Sequence, residues 1–189
     1  VSSRGCRDDA AITELALAAA HGDDAAFAAW VRRTQADVWR FLVHLNGHEA
    51  ADDLTQETYL RAVTALPRFA GRSSSRTWLL AIARRVAADA IRRESARPRL
   101  SDRGWDAVAE QDRRGQAPSP GFEAAVDTRM LLDQLEPERR EALVLTQLLG
   151  FSYAEAAEIC SCPVGTIRSR VARAREELLV SLERQGYAS

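Results

Sequence analysis

Residues 152–175 read SYAEAAEICSCPVGTIRSRVARAR, and the reading of this stretch decides the fold. Ser152 stands three residues before Glu155, the spacing at which a side chain and a backbone N–H cap a helix start reciprocally. The helix so opened spans about 152–160. Ser161, Cys162 and Pro163 break it, because proline removes a helical donor and clashes with the preceding turn. In the helix that follows, Ile167, Val171, Ala174, Leu178 and Leu182 recur at helical spacing and make one apolar stripe. A short helix, a tight turn and a longer arginine-rich helix form a helix-turn-helix. Thr166, Arg168, Ser169, Arg170 and Arg173 fall on the surface left over near the start of the second helix. That end of such a helix enters a major groove, where Arg holds a guanine edge with two bonds and Ser or Thr reaches phosphate. The N-terminus of the helix adds its own attraction for phosphate.

Upstream, helical periodicity continues and strand signals are nearly absent. Residues 24–46 place Phe27, Trp30, Val31, Val38, Phe41, Leu42 and Leu45 on one face, with Asp23 or Asp24 as cap and Gly47 as stop. A shorter helix, roughly 11–20, precedes it. Residues 49–66 form another, with Leu54, Tyr59, Val63 and Leu66 inward and Pro67 ending it. The next starts at a Ser73-Ser74-Ser75 cap and runs to about Ser95, with Leu79, Ile82 and Val86 inward. Further helices are expected at about 122–135 and 137–149, the second opened by Pro137 and closed by Gly150. Between them RPRLSDRGWDAVAEQDRRGQAPSP, residues 97–120, is polar and without period, the composition of a linker, although Trp105 is unusual there. The expected fold is all-α. Two small helical domains, 8–96 and 122–185, are joined by a flexible segment, 97–121, and the C-terminal one is the helix-turn-helix.

The chain has 189 residues, 46% hydrophobic and 28% charged, with a formal net charge of −1. That total excludes a protein that coats nucleic acid by bulk positive charge. Its distribution says more. Residues 61–103 hold 11 Arg against 3 acids and residues 163–175 hold 4 Arg and no acid, whereas 8–60 and 104–162 are strongly acidic. Two basic blocks separated by acidic ones imply two anion-binding surfaces on one chain. They also let the halves fold against each other and cover DNA-binding surface. All 26 basic residues are Arg, which a compositional bias of the coding DNA explains as well as phosphate recognition does.

Other chemistries find little support. Three cysteines make no disulfide framework and fit a reducing cytoplasm. No apolar run approaches the ~18 residues of a membrane span, and the start, VSSRGCRDDAA, has no hydrophobic signal core, so no membrane insertion is expected. His44 and His48 are four apart, but Gly47 interrupts their helix. Cys160 and Cys162 with Cys6 lack a fourth ligand and the usual metal spacing. No glycine-rich phosphate loop and no nucleophile–base pairing stand out. No metal, cofactor or catalytic residue is expected, and the chain reads as a non-enzyme.

Three strings, ADDLTQETYLRA at 51–62, RTWLLAIARR at 76–85 and CPVGTIRSRVARAR at 162–175, together resemble bacterial extracytoplasmic-function sigma factors, in order and spacing, over roughly residues 11–183. The resemblance implies that Asp53, Leu54, Gln56 and Glu57 lie on the helix that grips a coiled coil of core RNA polymerase. It implies that the helix from 73 to 95 recognises and opens the −10 promoter region, with Arg72, Arg76, Arg84, Arg85, Arg92 and Arg93 as its cations. Trp78 is there either to stack on a base or to fill the core, and its phase favours the core. Thr166, Arg168, Ser169, Arg170 and Arg173 then read the −35 element of promoter DNA. Arg85 stands where the family often has Asn, and no basic residue stands near Thr146-Gln147, so base preference departs from the family at both elements. The resemblance further implies an anti-sigma factor as a partner. Two other readings remain open at this point: a stand-alone helix-turn-helix regulator with an N-terminal sensor or dimerisation domain, and a metal-dependent helical enzyme.

Overall fold

A computed structural model of the chain describes residues 3–96 and 131–184. The expected linker, Trp105 and most of the helix expected at 122–135 lie outside the described residues. All regular structure among the described residues is helical, as the sequence pattern requires.

Four helices build the N-terminal half: α1 (Ser3–Ala20), α2 (Asp24–Asn46), α3 (His48–Ala65) and α4 (Ser75–Ala96). Helix α1 begins well before the expected residue 11; only Gly5 opposes helix there, at a cost of about 1 kcal/mol. Asp23 caps α2, its Oδ1 accepting from Ala26 N at 2.9 Å. Gly47, at φ +87°, turns the chain directly into α3, a conformation open to Gly and strained for other residues. Helix α3 ends in a 3-10 turn, Leu66–Arg68, where Pro67 was expected to stop it. Ser74 caps α4, with its Oγ accepting from Thr77 N at 3.1 Å.

Trp30, fully buried, ties these helices together. Its Nε1 donates to Ser75 Oγ at 3.1 Å, and Ser75 N donates to Thr13 Oγ1 at 3.0 Å, so α2, α4 and α1 meet at one polar junction. Its ring lies 5.9 Å from Tyr59 of α3, edge-on, and 6.3 Å from Trp78 of α4. The Tyr59 hydroxyl, 2.7 Å from Thr34 Oγ1, is pushed up to about 12 by burial. Val63, expected inward, is 48% exposed; Ala62, one residue earlier, takes the core position in its place.

The C-terminal half holds α5 (Pro137–Leu143), α6 (Tyr153–Cys160) and α7 (Val164–Arg184). A regular helix was expected to 149. Instead Val144–Leu148 widen into a π turn, with Leu149 N donating to Val144 O at 3.0 Å. The wider turn keeps Val144 and Leu145 both in the core and lets Phe151 N reach Leu145 O at 3.0 Å. The Ser152–Glu155 capping box forms in full. Ser161 adopts the left-handed conformation, φ +52°, which reverses the chain between α6 and α7. Ile167, Val171 and Ala174 of α7 are buried, as their spacing predicts.

The two halves are not separate in space. Helix α4 packs against α6, and α2 touches α5 and the π turn. Buried residues of both halves join in one cluster. Among the described residues the halves meet through the Arg84–Glu141 ion pair and through apolar residues, the folding together that the alternating charge blocks allow.

Because Ile167 of α7 is fully buried, Ile167→Ala should destabilise the chain by about 2–5 kcal/mol. Ser152→Ala, which removes the cap of α6, should cost about 1 kcal/mol. Urea denaturation of the full chain measures both, and Ile167→Ala should show the larger loss.

Candidate nucleic-acid interface

Helix α3 carries the first surface. Asp53 and Gln56 are exposed on its outer face, and Glu57 is half-exposed with its Oε1 accepting from Arg61 Nε at 2.7 Å. Leu54, expected inward on this same helix, is 7% exposed and sits in the core, its phase matching that of buried Ala51 and Thr58. Two residues that sequence reasoning missed lie on the outer stripe with Gln56. Leu60 is 65% exposed, and Val63 continues the line. The helical spacing from Asp53 through Gln56 to Leu60 was available in the sequence. Trp39 Nε1 donates to Asp52 Oδ1 at 2.8 Å beside this face.

Helix α4 and the loop before it carry the second surface. Arg72, Arg85, Arg92 and Arg93 are exposed. Arg92 pairs with Asp89, and Arg93 Nε donates to Asp89 O at 3.3 Å. Two of the expected cations are engaged elsewhere. Arg76 donates to Asp9 of α1 at 2.7 Å and to Asp37 of α2 at 2.6 Å, and its guanidinium lies 4.6 Å over the ring of Phe151. Burial alone would push its pKa down, but the two carboxylates raise it overall. In this arrangement Arg76 is a structural junction and not a free cation. Arg84 Nε donates to Glu141 Oε1 of α5 at 2.6 Å, across the boundary between the halves, and Glu141 is only 5% exposed. Burial likewise opposes the charge of Arg84 and Glu141 more than restores it. Trp78 is half-buried, 4.9 Å from Phe69, so it packs on the core as its phase favoured.

The third surface is the start of α7. Arg168, Ser169 and Arg173 are exposed and Thr166 is half-exposed, so these four share the outward side of the helix. Arg170 departs from them. It turns back to Glu138 of α5 at 2.5 Å and toward Cys162 Sγ at 3.9 Å, which makes it a brace of the helix-turn-helix. Arg139 pairs with Glu177 in the reciprocal direction, from α5 to α7. The lack of a basic residue at Thr146-Gln147 is offset in space: Arg175 of α7 donates to Gln147 Oε1 at 2.7 Å. Cys160 is buried, and burial with the nearby Glu141 charge pushes its thiol up, so it stays protonated and unreactive. No cluster of three or more His, Cys, Asp or Glu able to hold a metal occurs among the described residues. No helix among them is long and apolar enough to cross a membrane.

The sequence family described as Sigma-70 region 2 matches residues 26–97, and that described as Sigma-70, region 4 matches residues 126–178. The chain is 56% identical to the ECF RNA polymerase sigma factor SigC of Mycobacterium tuberculosis over 93% of this chain and 94% of that protein. Among solved structures it resembles the sigma factor RpoE of Bartonella quintana, solved with the anti-sigma factor NepR (29% identity, TM-score 0.65, 83% of this chain and 96% of that one). It also resembles CnrH in complex with the cytosolic domain of CnrY (26% identity, TM-score 0.68, 91% and 97%).

The geometry separates two arginines that sequence alone grouped together. Arg168→Ala, at an outward position, should weaken binding of duplex DNA by about 1–3 kcal/mol and leave stability within about 0.5 kcal/mol. Arg170→Ala should do the reverse, lowering the unfolding midpoint while costing less in DNA affinity. Fluorescence titration with duplex DNA and thermal unfolding, run on both variants, check the contrast.

Proposed function

The chain belongs to the extracytoplasmic-function sigma factors of the sigma-70 family, and from that premise we propose which of its surfaces performs each part of their task. It is an alternative sigma factor that acts in transcription initiation. The observation that carries the assignment is positional: the region 2 match runs from α2 through α3 and α4, and the region 4 match runs from before α5 through α6 and most of α7.

On this reading the outer face of α3, with Asp53, Gln56 and Glu57, docks on core RNA polymerase. Acid and amide groups suit a basic helical surface, and burial of Leu54 holds the helix in place without touching the partner. Arg72, Arg85, Arg92 and Arg93 hold the strand of the −10 element, and Arg84 joins them when it is released. Thr166, Arg168, Ser169 and Arg173 read the −35 duplex. The domains run over 8–96 and 122–185, with 97–121 between them. The chain works in the cytoplasm as a specificity subunit, and the catalysis belongs to the polymerase.

The packed arrangement is then the resting form of the free factor. Helix α6 lies on α4 and Glu141 takes the guanidinium of Arg84, so part of the −10 surface is covered. The outward side of α7 stays open. A partner of the anti-sigma kind, such as those bound to the two solved relatives, would act by holding either half in place of the other. A stand-alone regulator would need no polymerase, and reconstitution separates the two: core enzyme plus this chain should initiate at a promoter with both elements.

Two results test the reading. Glu141→Gln should raise the affinity of the free chain for a single-stranded −10 oligonucleotide several-fold, while −35 duplex binding stays unchanged. Failure of the reconstituted holoenzyme to initiate at any promoter selected from genomic DNA would falsify the sigma assignment of these surfaces.

A further inference from the structure

A chain of ion pairs joins the polymerase-facing helix to the DNA-facing one. Arg61 of α3 donates through Nε to Glu57 Oε1 and through Nη1 to Asp89 Oδ2 of α4, each at 2.7 Å. Asp89 in turn pairs through Oδ1 with Arg92. Asp89 is the sole carboxylate between Arg84 and Arg93. Its position is therefore unfavourable for an anion-binding face: it neutralises a cation and repels phosphate. Among the described residues Arg61 is the cation that reaches it from another helix, and hydrogen bonding to Arg61 is the first cause holding the Asp89 carboxyl below the usual carboxylate range.

The charge of Arg61 is thus shared between an acid on the docking face and an acid on the DNA face. When a basic surface of the polymerase takes Glu57, Arg61 belongs wholly to Asp89, and the hold of Asp89 on Arg92 loosens. We propose that Arg61 is a positioning residue that couples the two binding events, so that occupancy of the α3 face frees Arg92 for the −10 strand. The inference rests on the docking and −10 roles given above. By linkage the effect runs both ways: DNA on Arg92 returns Asp89 to Arg61 and frees Glu57 for the polymerase. Each pair is partly exposed, so the coupling is modest. Exposed pairs of this kind change an equilibrium by about two- to five-fold.

The test is a double-mutant cycle on coupling itself. The affinity of the full chain for core polymerase is measured with and without a saturating single-stranded −10 oligonucleotide, and the ratio of the two is the coupling factor. Every chain carries Glu141→Gln, which removes any contribution from release of the packed halves. Arg61→Gln should reduce the factor by about two- to five-fold. Asp89→Asn should raise oligonucleotide affinity in the absence of polymerase by a similar factor, and Arg61→Gln added to it should change nothing further. A purely structural role for Arg61 would weaken both binding steps and leave the ratio alone. An unchanged ratio in Arg61→Gln, or additive effects in the double variant, overturns the proposal while the docking and −10 assignments stand. Absence of polymerase binding by the parent chain overturns both.

Discussion

The Glu141 carboxylate is nearly buried, and a buried carboxylate needs a partner or water. Its partner belongs to the other half of the molecule. Arg84 reaches it from α4, so the pair ties α5 to α4, against which α6 also packs. Removing one member of a fully buried pair costs roughly 3–5 kcal/mol. Arg84 is a third exposed, so screening brings this pair to the lower end of that range or beneath it. Such a contact is strong enough to populate the packed state and weak enough for a large protein partner to displace.

The same logic extends to the rest of the interface. Phe151 lies over the guanidinium of Arg76, whose charge Asp9 and Asp37 already satisfy, so the aromatic ring meets a fixed cation and not a mobile one. The two contacts differ in kind. Arg76 stays with its acids inside the N-terminal half, whereas the ion pair of Arg84 crosses the boundary. The near-zero net charge goes with this pairing: Arg76, Arg84, Arg92 and Arg170 each meet an acid of the same chain. The closure is asymmetric, with α4 partly covered and the outward side of α7 open; on the proposed roles this leaves duplex reading intact and restrains strand capture.

Much of this was legible in the sequence. The helical period, the Asp23 and Ser152 caps and the breaks at Gly47 and Pro163 each act locally, so spacing alone specified α2, α6 and the turn before α7. The outward set at the start of α7 followed from the stripe of Ile167, Val171 and Ala174. What escaped reading depends on contacts between distant residues. Nothing local tells that Arg170 turns to Glu138, that Arg76 is spent on Asp9 and Asp37, or that Arg175 fills the place beside Gln147. The π turn at Val144–Leu148 arises from core packing, not from a breaker, and leaves no signal in the composition. The error at Val63 was one of phase: one residue moves a side chain by about 100° around a helix, enough to exchange it with Ala62.

On the proposed reading, α4 and α6 are together in the free factor and apart on the polymerase. Spin labels at exposed Glu94 and Glu158, in a chain with its three cysteines changed to Ser, report that separation directly. One short distance is expected in the free chain, with a clear lengthening when core polymerase is added. The same distance distribution in both states, or a long and broad one in the free chain, would contradict it.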